Sequence, residues 1–112
     1  MSCVFCQIVR GELPAERVGE GDRWIAFRDA RPQAPTHVLV VPREHVESLA
    51  TLAPSNPDLA GELLAAAAAV ARREGLDGGY RVVVNTGADG GQTIPHLHLH
   101  VLGGRGLGWP PG

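Results

Sequence analysis

Apolar positions recur along the chain with two periods, one helical and one extended. Val4, Phe5, Ile8 and Val9 fall at i, i+1, i+4 and i+5, which predicts a short amphipathic helix ended by Gly11 and closed off by Leu13-Pro14. Residues 15–29 read as two short strands around the turn residues Gly19, Gly21 and Asp22. Residues 30–35, ARPQAP, form a proline-punctuated loop. THVLVVP, residues 36–42, is nearly all apolar and β-branched, so it predicts a strand buried on both faces and stopped by Pro42. One or two helical turns are expected within 44–52. The clearest helix follows: Asn56 is a candidate N-cap, Pro57 fits the first helical position and Asp58 favours the positive helix end. Leu59, Leu63, Ala66, Ala67 and Val70 make one apolar stripe, Arg72 and Arg73 suit the C-terminal end, and Gly75 can close it. YRVVVNTG (80–87) and HLHLHVL (96–102) predict strands around a glycine-rich loop, ADGGQTIP. The last ten residues have no periodic pattern.

This order of helix, strands, helix and two strands fits a single α+β domain over residues 1–112 with an antiparallel sheet. The chain of 112 residues is long enough to bury one core. It is 44% hydrophobic and 20% charged, with a net charge of −2, so nothing favours bulk attraction to nucleic acid or to an anionic membrane. A charged ligand would have to be bound by local geometry. No run reaches the ~18 apolar residues of a membrane span. The opening MSCVFCQIVRG lacks the basic and long apolar regions of a secretory leader, so a reducing cytoplasm is the expected setting.

Three of the five histidines, His96, His98 and His100, alternate with leucines. On a strand they share one face at roughly 6.5–7 Å intervals, while Leu97, Leu99 and Val101 face a core. Chance polar residues on a solvent face would carry lysine or glutamate as well. Two chemical readings stay open here. Histidines at i and i+2 can ligate one metal. Alternatively, a central imidazole attacks as a nucleophile between two neighbours that serve as donors. Gly90, Gly91, Gln92 and Thr93 lie directly before the histidines and can offer backbone N–H groups and a hydroxyl to a phosphate oxygen, which favours the second reading.

The segment His96 to Leu102 matches the His-φ-His-φ-His-φ-φ signature of the histidine-triad nucleotide-binding superfamily. RDARPQAPTHVLVVPREHV, GYRVVVNTGADGGQT, HLHLHVLGGR and the C-terminal WPPG together resemble its Hint branch over nearly the whole chain. The resemblance implies an α+β, HIT-like fold: a five-stranded antiparallel sheet with a short N-terminal helix and one long helix, paired into a homodimer with a ten-stranded sheet. It implies hydrolysis of adenosine or guanosine 5′-monophosphoramidates through a nucleotidyl-histidine. His98 would be the nucleophile and His100 a phosphate contact that helps protonate the leaving amine. A carbonyl near His96 would fix the tautomer of His98, and His37 would approach from a neighbouring strand. Asn85, Gly91, Gln92 and Thr93 would serve the phosphate, Asp29 the ribose hydroxyls, and Val4, Phe5, Ile8 and Phe27 the base. Ala30 replaces a bulkier residue beside the ribose, and apolar walls discriminate purines poorly. Trp109 would reach the partner subunit's site. Without the resemblance, the four apolar residues read as core, Asp29 as a loop start, Asn85 as a turn residue, His37 as an ordinary strand-start histidine and Trp109 as tail.

Cys3-x-x-Cys6 is a zinc half-site or a pair of free thiols. A tetrahedral site needs two more ligands, and some similar bacterial family members supply histidines at the positions of His45 and His96. Such a zinc would be structural, with no cofactor required for the chemistry. No strand precedes the motif, which argues against a thioredoxin-like redox role. Besides a phosphoramidase, the sequence leaves open a nucleotide-binding module with incidental turnover, a zinc hydrolase with metal on the triad, and another nucleotide hydrolase or transferase of the superfamily.

Overall fold

A computed structural model describes residues 3–112. Helix α1 spans Val4–Val9, and strands β1 and β2 span Arg17–Glu20 and Trp24–Arg28. Strand β3 spans Thr36–Pro42, helices α2 and α3 span Leu49–Ser55 and Pro57–Arg73, and strands β4 and β5 span Tyr80–Val83 and Leu99–Gly103. The five strands form one antiparallel sheet in the order β1-β2-β3-β5-β4, so the α+β expectation is met.

β3 is central and buried along almost its whole length, and its alternation divides the core in two. Val38 and Val40 join Leu97, Leu99 and Val101 against α3. Leu39 and Val41 face the other way and pack with Ile25, Phe27, Phe5 and Ile8 beneath α1. The whole predicted α3 stripe is buried, together with Ala71. Asn56 caps α3 by accepting from the Leu59 N–H at 3.2 Å, and Pro57 takes the first helical position. At the far end Gly75 has φ +71°, a left-handed residue that glycine adopts without strain. Arg28 of β2 grips Glu74 there through two hydrogen bonds of 2.7 and 3.2 Å.

Three elements differ from the pattern-based reading. The helix expected within 44–52 starts only at Leu49, capped by Ser48. Residues before it stay out of the helix because Val46 O and Glu47 O accept hydrogen bonds from Leu97 N–H and Gln92 Nε2. β4 ends at Val83 rather than Gly87, because Asn85 turns into the glycine loop and donates to Gly90 O. β5 begins at Leu99, so His96 and His98 lie before the regular strand. Pro42 ends β3 beside them and has no N–H with which to continue the ladder.

Candidate active site and metal-ligating cluster

The alternation of residues 96–101 survives this loss of regular pairing. Leu97, Leu99 and Val101 enter the core under α3. His98 and His100 lie together on the other side, with ring centroids 5.0 Å apart, and Phe5 meets the His98 ring edge-on at 5.1 Å. His96 is fully buried, and its ring turns toward His45, 4.9 Å away, and the two cysteines.

Backbone groups decide which ring nitrogen carries each proton. His98 Nδ1 is 2.7 Å from His96 O, and a carbonyl only accepts, so Nδ1 carries the hydrogen and Nε2 keeps its lone pair. This is the carbonyl that the family resemblance implies. The Gln33 N–H donates to His37 Nδ1 at 3.0 Å, which leaves the His37 hydrogen on Nε2. His37 Nε2 then donates to His100 Nδ1 at 2.9 Å, and neutral His100 carries its own hydrogen on Nε2. Asp29 Oδ2 lies 3.4 Å from the same His37 nitrogen. Burial pushes the His100 pKa down to about 4, helped by His98 and His37 and opposed by Asp29. Burial also lowers His37, against an upward pull from Asp29.

A cavity of about 710 Å³ opens beside these rings, within the range of small-ligand sites. Val4, Phe5, Ile8, Phe27, Asp29, Ala30, Thr93, His37 and His100 line it, so most of the expected residues come together. Leu39, Ile94, Arg31 and Gln33 line it as well and were not singled out from the sequence. Leu39 lies in a strand buried on both faces, where pattern does not separate wall from core. Gln33 fixes His37 through its backbone N–H, which no side-chain reading detects.

The glycine loop is braced rather than free. Gln92 accepts from the Gly87 N–H and donates to Glu47 O and Ile94 O. The Gly91 N–H donates to Ala88 O at 3.0 Å. A Cβ at Gly90 would lie 2.3 Å from Thr86 O, so only glycine fits there. Asn85, Gly91, Gln92 and Trp109 do not line the cavity, and neither does His98, which lies behind it against His100 and Phe5. Trp109 is 83% exposed, on a tail that Arg81 anchors by donating to Gly108 O.

Cys3, Cys6, His45 and His96 converge, with one ligand atom of each lying within 4.8 Å of the others. His96 Nε2 donates to Pro42 O at 3.1 Å, so its Nδ1 lone pair faces Cys3 Sγ at 3.3 Å and Cys6 Sγ at 3.5 Å. His45 Nδ1 is 3.3 Å from Cys6 Sγ. Two sulfurs and two imidazole nitrogens from three segments fit the donor set of a structural zinc site. Among the described residues, the other such group is Asp29, His37 and His100; the three triad rings do not converge on one point.

Residues 10–107 match the model of the HIT domain family. The chain belongs to this family. A HIT family hydrolase from Legionella pneumophila superposes with a TM-score of 0.95 at 46% identity, covering 99% of this chain and all of that one (100%). A histidine triad nucleotide-binding protein from Candida albicans gives a TM-score of 0.82 at 30% identity, over 97% of this chain and 83% of that one. A 14 kDa zinc-binding protein of Zea mays is 44% identical over 111 residues, 97% of this chain and 87% of its own length. The likeness extends beyond the HIT model's first residue, so the segment bearing Cys3 and Cys6 belongs to what is shared. At a coarse level the chain has the HIT family's hydrolase and nucleotide-binding fold. Among the described residues, no helix is long and apolar enough to cross a membrane.

Proposed function

We propose that the protein is a purine nucleoside phosphoramidase of the Hint type. The observation that carries this reading is the tautomer of His98: Nδ1 is committed to the His96 carbonyl, which leaves Nε2 as a lone pair for attack on phosphorus. The base would lie against Val4, Phe5, Ile8 and Phe27, beside Ala30, and the ribose hydroxyls would meet Asp29. Thr93, beside the loop braced by Gln92 and Asn85, would receive the phosphate, and the Gly91 N–H would have to leave Ala88 O to join it.

His98 Nε2 attacks the α-phosphorus. A bond to the imidazole forms as the P–N bond to the amine breaks. The leaving nitrogen takes a proton from solvent, assisted by a hydrogen bond from His100 Nε2. Water then attacks the nucleotidyl-histidine, the P–N bond to His98 breaks, and the water's proton returns to solvent. The nucleoside monophosphate leaves and the Nε2 lone pair is restored. At neutral pH His100 is uncharged, so it works as a hydrogen-bond donor, and His37 keeps it in that tautomer.

Zinc at Cys3, Cys6, His45 and His96 would supply a structural cross-link among the segments that carry them, with no part in bond breaking. The name of the maize relative and the convergent donor set support this assignment. We further propose a homodimer. β4 is an edge strand whose Tyr80 is 44% exposed, and Leu64 of α3 is 57% exposed, large apolar side chains for a second copy to cover. In such a pair Trp109 would serve the partner's site. A cytoplasmic setting suits two cysteines that form no disulfide.

The test is release of AMP from adenosine 5′-phosphoramidate, with a rapid-quench mass measurement of the protein. Turnover with a nucleotidyl adduct on the His98 peptide is the expected result. Tight AMP binding without turnover would replace the enzyme with a nucleotide-binding module.

A further inference from the structure

The carbonyl that fixes His98 belongs to the residue whose ring sits among the thiols. Each polar atom of His96 is engaged: N–H to Ile94 O at 2.8 Å, Nε2 to Pro42 O, Nδ1 toward Cys3 and Cys6, and C=O toward His98. The next N–H in the same peptide plane, that of Leu97, donates to Val46 O at 2.7 Å. Val46 directly follows His45, which lies against Cys6 Sγ. The His96–Leu97 peptide is therefore tied at both edges to the four-residue cluster. It also lies outside the regular ladder, which begins at Leu99, so it has no ladder hydrogen bonds to β3 and is held by the His96 ring on Pro42 O and by the Leu97 N–H on Val46 O.

We infer that a thiophilic divalent cation at Cys3, Cys6, His45 and His96 sets the orientation and tautomer of His98 through the His96–Leu97 peptide, making His45 and His96 positioning residues for the nucleophile. Fixing His45 and His96 relative to the cysteines fixes both attachments of that peptide. Without the cation, the bonds to Pro42 O and Val46 O remain, but nothing fixes His45 and His96 relative to the cysteines, and the acceptor for His98 Nδ1–H can shift. The logic is that of an outer shell orienting a working group, here with the metal centre as the outer shell. The inference rests on the proposed function only in calling His98 the nucleophile.

Long-range proton–nitrogen spectra of the full chain, labelled on histidine nitrogen, test it directly. With zinc bound, His98 should show a single Nδ1–H tautomer. After chelation, with zinc loss verified by metal analysis, His98 should average between tautomers. His37 and His100, held from the Gln33 N–H, should keep theirs. His45→Ala removes an exposed ligand, and its His98 signal should follow zinc occupancy, recovering at saturating zinc. Should the zinc-free chain unfold, cadmium in the folded chain provides longer metal–ligand bonds, and should move the His98 resonances but not those of His37. AMP release should fall about 10- to 100-fold in kcat, with KM changed less, as expected for a small misplacement of a reacting group. Identical His98 signals with zinc, without it and with cadmium would overturn the inference. Absence of turnover in the zinc-loaded protein would overturn the phosphoramidase reading alone, because the spectra do not depend on it.

Discussion

The two faces of the sheet are made by the same strands but are built differently. Toward α3, every contributor from β3 and residues 97–101 is aliphatic, and all of them are buried. Toward α1, Leu39, Val41, Phe27, Phe5 and Ile8 make a smaller apolar cluster, and His37, His96 and His98 are buried polar side chains on the same side of the chain. Polar groups can be buried there because backbone atoms satisfy them; no buried side-chain nitrogen or oxygen among the described residues lacks a partner. One face thus carries packing energy alone. The other uses packing to hold imidazoles in chosen tautomers.

Substitutions that strike one face and spare the other test this division. The largest effect is expected for His98→Ala, which should lower AMP release at least about 10³-fold with little change in melting temperature. Residual turnover within tenfold of the parent would move the chemistry off this side chain. On the opposite face, Leu63→Ala should cost about 2–5 kcal/mol in urea denaturation, with kcat of the folded protein unchanged. A comparable loss of kcat would show that the faces are not separable. His37→Ala removes the donor to His100 Nδ1 and should reduce kcat about tenfold while KM changes little. An unaltered kcat would place His37 among purely structural residues.

The pH response should come from the histidine face. Burial lowers the His100 pKa from 6.5 to about 4, so the unfolded chain binds more protons across that window. Stability should be complete above about pH 6.5 and decline as pH falls toward about 4. His100→Asn should flatten that part of the melting-temperature profile; an unchanged slope would assign it to other groups. The smallest effect is expected at the rim, where Glu74→Ala breaks the pairing with Arg28 and should cost less than about 1 kcal/mol, since Arg28 is partly solvated. Its kcat should match the parent's.

Much of this was legible in the amino-acid order. The caps and stripe of α3, the doubly buried β3 and the leucine–histidine alternation are local patterns, and side chains of those types at those spacings have few other ways to leave water. The cavity wall was expected only from the family resemblance, since its apolar residues otherwise read as core, whereas the triad and the two cysteines were visible as residue types. The point at which β5 begins was not, because it depends on Pro42, a residue from another strand that leaves the ladder unfinished. The partition of the triad, in which His96 turns to the thiols while His98 and His100 stay together, was expected only from the family resemblance, because the alternation alone puts all three on one face. The protonation pattern belongs to the tertiary structure, and only the carbonyl at His98 was expected beforehand, through the family resemblance. His98 is fixed by a carbonyl, His96 by the Pro42 carbonyl and His37 by the Gln33 N–H. Every residue except proline carries the same backbone donor and acceptor, so sequence does not mark which of them will meet a ring. That meeting is decided only when the loops and strands have packed.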